Sequence, residues 1–169
     1  MSIFRTEPGA SAGRTAWISM VALAAAGCAM AAASPAPAAE GHAVVPAGTV
    51  EWGPGPASIE KGAEAAVLYG DPGAEELFAL RLKLPDGYHI APHTHPRPEI
   101  VTIISGTLLL GTGEEADRAT AEVLETGSFF GFDPGMTHFV YAKGETVIQL
   151  NSMGPWSIEY VNEDDDPRR

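Results

Sequence analysis

From residue 49 onward the chain alternates apolar and polar positions with a period of two. The clearest case is Leu77-Phe-Ala-Leu-Arg-Leu-Lys-Leu84, which sets Leu80, Leu82 and Leu84 on one face and Arg81 and Lys83 on the other. Comparable short runs, several of them β-branched or aromatic, occupy residues 49–52, 65–69, 99–104, 107–110, 121–124, 128–132, 138–142, 146–150 and 156–161. Between them stand turn formers: Gly53-Pro54-Gly55-Pro56, Gly70-Asp71-Pro72-Gly73, Pro85-Asp86-Gly87, Gly127, Pro134-Gly135 and Lys143-Gly144. Gly106, between two apolar runs, reads as a tight hairpin turn. No stretch after residue 48 carries a helical period. The pattern predicts an all-β sandwich or barrel over residues 48–161.

The ends of the chain are different. Residues 1–38 hold Arg5 and Arg14, then an Ala-rich run from Ala16 to Ala33 without a charge, then Ala36-Pro37-Ala38. This is the layout of an export signal with an A-x-A cleavage site. A permanent span fits less well, because only Ile18, Val21 and Leu23 are strongly apolar aliphatics, at about −0.5 kcal/mol each on insertion scales. Ala25-Ala26-Gly27-Cys28 offers a second reading, a lipoprotein signal that ends before a lipidated Cys28. Either reading predicts a non-globular N-terminal segment and an exported, periplasmic or extracellular product whose one membrane contact is the signal or a lipid anchor. Residues 39–47 read as a linker and the acidic tail 162–169 as frayed.

Composition narrows the partners. The 169 residues suit one domain, and a formal charge of −12 argues against nucleic acid, which needs clustered Lys and Arg. A single cysteine excludes a disulfide framework and a Cys-rich zinc site.

The chemistry concentrates in residues 87–106. His93 and His95 lie two apart in a segment kept extended by Pro92, Pro96 and Pro98, so both imidazoles can aim at one point. Glu99 follows and opens the β-branched run Ile100-Val101-Thr102-Ile103-Ile104. Two nitrogens and a carboxylate make three sides of a transition-metal site, and His138, just after the Pro134-Gly135 turn, is a candidate fourth.

At these positions the chain resembles the cupin superfamily. Gly87, His93, His95, Glu99 and Gly106 match every fixed position of the first cupin motif, G-x5-H-x-H-x3-E-x6-G. Gly127, Gly135 and His138 match the second, which departs at Asp133, where proline is usual, and at Ala142, where asparagine is frequent. The resemblance implies a double-stranded β-helix, or jelly-roll barrel, formed once per chain and commonly dimeric. It implies one divalent transition metal (Fe, Mn, Ni, Cu or Zn) held by His93, His95, Glu99 and His138, with positions left open for a small-molecule ligand.

Around the ion, alternation points Val101 and Ile103 to the side of Glu99 and Val140 to that of His138, with Phe130 and Phe132 as further lining. Arg97 is a candidate to hold a substrate carboxylate and Gln149 a candidate pocket hydrogen-bonder. His89 reads as facing the mouth or solvent, Tyr88 and Tyr141 as packing, and the acidic loop 111–120 as solvated. No general base stands out beyond the ligands. Two classes follow: a metal-dependent oxygenase, isomerase or hydrolase acting on a small organic molecule, or a non-catalytic module that binds a small molecule or metal in the cell envelope.

Overall fold

The computed structural model describes residues 42–169; the export segment, its cleavage site and Cys28 lie outside the described residues. Nine strands follow in chain order: β1 (Gly53–Pro54), β2 (Glu64–Tyr69), β3 (Leu77–Leu84), β4 (His89–Thr94), β5 (Glu99–Thr112), β6 (Glu122–Glu125), β7 (Phe129–Phe132), β8 (His138–Met153) and β9 (Glu159–Tyr160). Every strand pairing is antiparallel.

The long strands β5 and β8 pair along most of their length, from Ile100 opposite Asn151 to Thr112 opposite His138. The second half of β8 also pairs β3, and its first half pairs β4. β7 flanks the start of β5, and β6 flanks its end. One side of the barrel therefore runs β1-β2-β3-β8-β5-β7 and the other β9-β4-β8-β5-β6, with β5 and β8 crossing from one to the other. This is the double-stranded β-helix predicted from the alternation and the motifs. Phe78, Leu80, Leu82 and Leu84 of β3 turn inward and are buried, and they meet Val101, Ile103, Leu108, Ile148 and Leu150 in a shared core.

Gly106 is not a hairpin turn. β5 runs through it, and its ladder with β8 shifts register between Ile103 and Thr107. Gly106 takes φ +80°, and a Cβ there would overlap the Glu145 carbonyl. The buried Thr146 closes the bend, its Oγ1 donating to Thr107 O at 2.9 Å and accepting from Thr107 N at 3.2 Å. Apolar runs on both sides of a glycine fit a turn or a bulge equally; the continuing ladder decides for the bulge. The same holds at Lys143-Gly144, inside β8.

Three smaller expectations are also corrected. Residues 47–49 form a 3-10 turn, and the first strand falls on Gly53–Pro54, at an edge where proline loses no ladder bond. The 156–161 strand shrinks to Glu159–Tyr160, because Trp156 N–H donates to Pro72 O and the Ser157 carbonyl is taken by a histidine. The tail folds back: Asn162 caps a 3-10 turn at Glu163–Asp165, and Arg168 pairs with Asp166 at 2.7 Å and donates to Ile158 O at 3.1 Å.

Gly111, in the second half of β5, carries the ring of Phe139, and a methyl group there would overlap it. Gly111→Ala is expected to cost about 1–3 kcal/mol. Gly48→Ala, which meets nothing, should stay within about 0.5 kcal/mol of the parent. Denaturant unfolding of the two variants checks both, and equal midpoints would contradict the packing at Phe139.

Candidate metal centre

The strand register assembles the site. β4 lies beside the first half of β8 with His93 directly opposite His138. Glu99, at the start of β5, lies opposite Phe132 of β7. The Pro134-Gly135 turn, which delivers the chain to His138, is tied to the other histidine segment, since Gly135 N–H donates to His95 O at 2.9 Å. The three ligand-type nitrogens of His93, His95 and His138 lie within 4.8 Å of one another, and all three residues are buried. Glu99 touches two of them: Oε2 is 3.0 Å from His138 Nε2, and Oε1 is 3.6 Å from His95 Nε2.

Hydrogen bonding fixes which nitrogen faces the centre. His93 Nδ1–H donates to Ala91 O at 2.7 Å, His95 Nδ1–H to Ser157 O at 2.8 Å and His138 Nδ1–H to Met136 O at 3.1 Å. A carbonyl oxygen only accepts, so each Nδ1 carries the hydrogen and each neutral ring keeps its lone pair on Nε2. The consequence shows in the unmet groups. His95 Nε2 and Glu99 Oε2 are buried without a hydrogen-bond partner, despite the 3.0 Å approach of Oε2 to His138. Two acceptors facing each other cannot satisfy one another, and leaving them so costs about 1–3 kcal/mol apiece. A cation between them removes that cost, so the donor set of three imidazoles and a carboxylate fits a divalent metal ion.

Burial, then repulsion from His138 and His95, pushes the His93 imidazole down to about 2. Burial also lowers His95, against the pull of Glu99 and the Ser157 carbonyl. Both shifts favour the neutral ring, the form that can ligate.

The cluster opens into a cavity of about 350 Å³, within the range of small-molecule sites. Leu80, Leu82, Val140, Ile148 and Leu150 line it, together with Pro54, Pro56, Ser58 and Ile59. That segment is tied down by Tyr160 Oη–H donating to Ser58 O at 2.8 Å, and Tyr88 Oη–H donates to Glu60 O just beyond it. Burial raises Tyr160 to about 12 and Tyr88 further, so both hydroxyls remain donors.

Of the expected lining, Phe130 and Val140 face the cavity. Phe132 packs on His138 at 5.0 Å between ring centres, while Val101 and Ile103 lie deeper in the core. Arg97 and Gln149 do not join the site. Arg97 is exposed on the turn between β4 and β5, and Gln149 sits on the opposite face of β8 from the wall residues Ile148 and Leu150, accepting from Arg81 Nε at 3.1 Å. Alternation already assigns Gln149 that outer face. Nor does His89 face the mouth: it stacks on Tyr141 at 4.2 Å.

The sequence reading missed Trp156. Its ring stacks on His95 at 4.1 Å and 19°, meets Phe78 edge-on at 5.8 Å and lines the cavity. With Ser157 O on Nδ1, this segment holds His95 by one ring face and one nitrogen. A large aromatic ring beside Gly154-Pro155 was the available signal, because a turn there can swing it across the barrel.

Comparison with known proteins follows the same lines. The family model described as "Domain of unknown function (DUF4437)" matches residues 30–159. Germin-like protein 3-1 of Oryza sativa subsp. japonica is 33% identical over 88 residues, 48% of this chain and 39% of the relative. Germin-like protein subfamily 1 member 17 of Arabidopsis thaliana is 42% identical over 59 residues, 32% of this chain and 27% of the relative. The chain thus matches well under half the length of these curated relatives. Among solved structures, the polyketide cyclase RemF from Streptomyces resistomycificus superposes with a TM-score of 0.56 at 16% identity, covering 74% of this chain and 89% of that one. An RmlC-like cupin from Shewanella frigidimarina NCIMB 400 gives 0.50 at 16%, covering 66% and 90%. At such identities the structures speak for the fold alone.

A pH dependence follows from the buried rings. A histidine whose folded pKa lies below its unfolded value of about 6.5 takes up its proton on unfolding, so acid favours the unfolded chain. Chelator-treated protein should lose stability as pH falls below about 6.5, by up to about 1.4 kcal/mol per pH unit for each such ring. Denaturant midpoints between pH 7 and 5 test this; a midpoint that rises on acidification contradicts it.

Proposed function

The chain belongs to the DUF4437 family within the cupin superfamily, and from that premise we propose a metal-dependent protein that binds and transforms a small organic molecule in the barrel cavity. The observation that carries this reading is the convergence of three Nε2 atoms and the Glu99 carboxylate in the lining of that cavity.

His93, His95, His138 and Glu99 would hold the ion. When bound, it supplies Lewis-acid polarisation of a coordinated oxygen and, if redox-active, a route for electrons. This chain's residues do the rest. The Ala91, Ser157 and Met136 carbonyls keep the imidazoles in the ligating tautomer, which is how partners beyond the ligands tune a metal site. Trp156 holds the ring of His95 in place, and the aliphatic walls exclude water from the guest. Fe, Mn, Ni, Cu and Zn all suit the donor set, and an oxygenase, isomerase or hydrolase would each use it.

One observation favours a second reading, a binding module without turnover. Beyond the four centre residues, and among the described residues, the cavity lining offers as polar side-chain groups only the Ser58 hydroxyl and the Trp156 indole N–H. Neither is a general base. Oxygen uptake or product formation on candidate substrates supports the enzyme; tight capture with no turnover supports the module.

Export to the envelope, with cleavage near residue 38 or lipidation at Cys28, is part of the proposal and rests on the sequence of residues 1–38. A homodimer is proposed from the superfamily alone.

Removing one ligand should abolish stoichiometric loading. His95→Ala is expected to retain a β-rich circular dichroism spectrum and to lose bound metal, read by elemental analysis beside the parent. Equal loading of the two proteins would refute the ligand assignment. Protein purified from its own host should lack residues 1–38 or begin at a lipidated Cys28. An intact mass that retains Met1 in a soluble form would count against export.

A further inference from the structure

The walls of the cavity carry information about the guest that the metal centre does not. β3 sends Leu80 and Leu82 into the cavity, and its cations to the opposite face. There Arg81 is engaged by Gln149 at 3.1 Å, and Lys83 by Glu64 at 3.0 Å. Arg97 is exposed and outside the lining. Among the described residues no Lys or Arg lines the cavity, and the protein around it carries a formal charge of −12. A carboxylate or phosphate held away from the ion would face mostly Leu, Ile and Val, with no cation to pair it, inside a field that repels anions. A sugar would leave most of its hydroxyls unbonded against the same walls.

We propose that the guest is a molecule with an apolar, uncharged aromatic or branched aliphatic body and a single oxygen-bearing head that reaches the metal centre. Dicarboxylates, sugar acids and phosphate esters are excluded by the wall. This rests on the reading of His93, His95, Glu99 and His138 as the centre, since that cluster is where the head is placed. The body is selected by Leu80, Leu82, Ile148 and Leu150 together with Trp156, which presents an aromatic face beside His95. Val67, 54% exposed and still part of the lining, stands on β2 opposite Leu80 and marks where the body approaches solvent.

The test is calorimetric titration of the zinc-loaded protein with two planar probes that share one head: methylcatechol and protocatechuate, which carries a carboxylate in place of the methyl group. Methylcatechol is expected to bind about 100-fold more tightly, the scale on which an apolar pocket rejects a misplaced polar group. Val67→Lys should narrow that ratio about tenfold by giving the carboxylate a partner at the mouth. Equal binding of the two probes by the parent, tighter binding of protocatechuate, or no measurable binding of methylcatechol would each overturn the proposal. Metal-stripped protein separates the two readings. If the centre is right, stripping weakens both probes by a similar factor. If stripping changes neither, the metal centre fails, while the ratio of the two probes still decides for or against the apolar wall.

Discussion

Three backbone carbonyls decide what this barrel can do. Those of Ala91, Ser157 and Met136 each take the Nδ1 hydrogen of one imidazole, and so turn three Nε2 lone pairs toward a common point beside a buried carboxylate. Had the rings adopted the other tautomer, His138 could have donated to Glu99 and the cluster would have been self-satisfied. With hydrogen on each Nδ1, His95 Nε2 and Glu99 Oε2 are left without a hydrogen-bond partner. A polar cluster left unsatisfied in a low-dielectric interior is costly, and a metal ion is the simplest group that reverses the sign of that cost.

The fold exists to hold that arrangement at one end. β8 runs 16 residues through both sides of the barrel, opening at His138 in the site and passing Ile148 and Leu150 along the cavity wall. β5 runs beside it from Glu99. Glu99 and His138 therefore open the two long strands, His138 shares β8 with the wall residues Val140, Ile148 and Leu150, and the bends at Gly106 and Gly144 let each strand serve both sides. The segment from Pro54 to Glu60 beside the cavity is tied down by two tyrosine hydroxyls, on the Ser58 and Glu60 carbonyls, and by Gly55 N–H donating to Ala63 O at 2.9 Å.

Much of this was legible from the chain. Period-two alternation and Gly/Pro punctuation give an all-β barrel, and β3 agrees with its pattern residue for residue over Leu77–Leu84. His93, His95 and His138 are brought together with Glu99 beside them, because i and i+2 positions on an extended chain share a face. What alternation does not carry is continuity. A glycine between apolar runs looks the same in a hairpin and in a bulge, so the pattern alone marks Gly106 and Gly144 as breaks. Nor does it carry long-range return: Trp156 reaches His95 through a turn whose course depends on Pro72 taking its amide hydrogen. Arg97 lies between two prolines, outside any strand, where the period gives no face at all. Gln149 had a face, and the period placed it outward, away from the cavity.

The tautomers can be read directly. Long-range nitrogen–proton correlation spectra of histidine-labelled, metal-free protein at neutral pH distinguish a ring protonated at Nδ1 from one protonated at Nε2. His93, His95 and His138 should all carry hydrogen on Nδ1, with His93 and His95 neutral. A neutral ring with its hydrogen on Nε2 at any of the three, or an imidazolium at His93 or His95, would contradict the account, because that ring could no longer offer its lone pair to the centre.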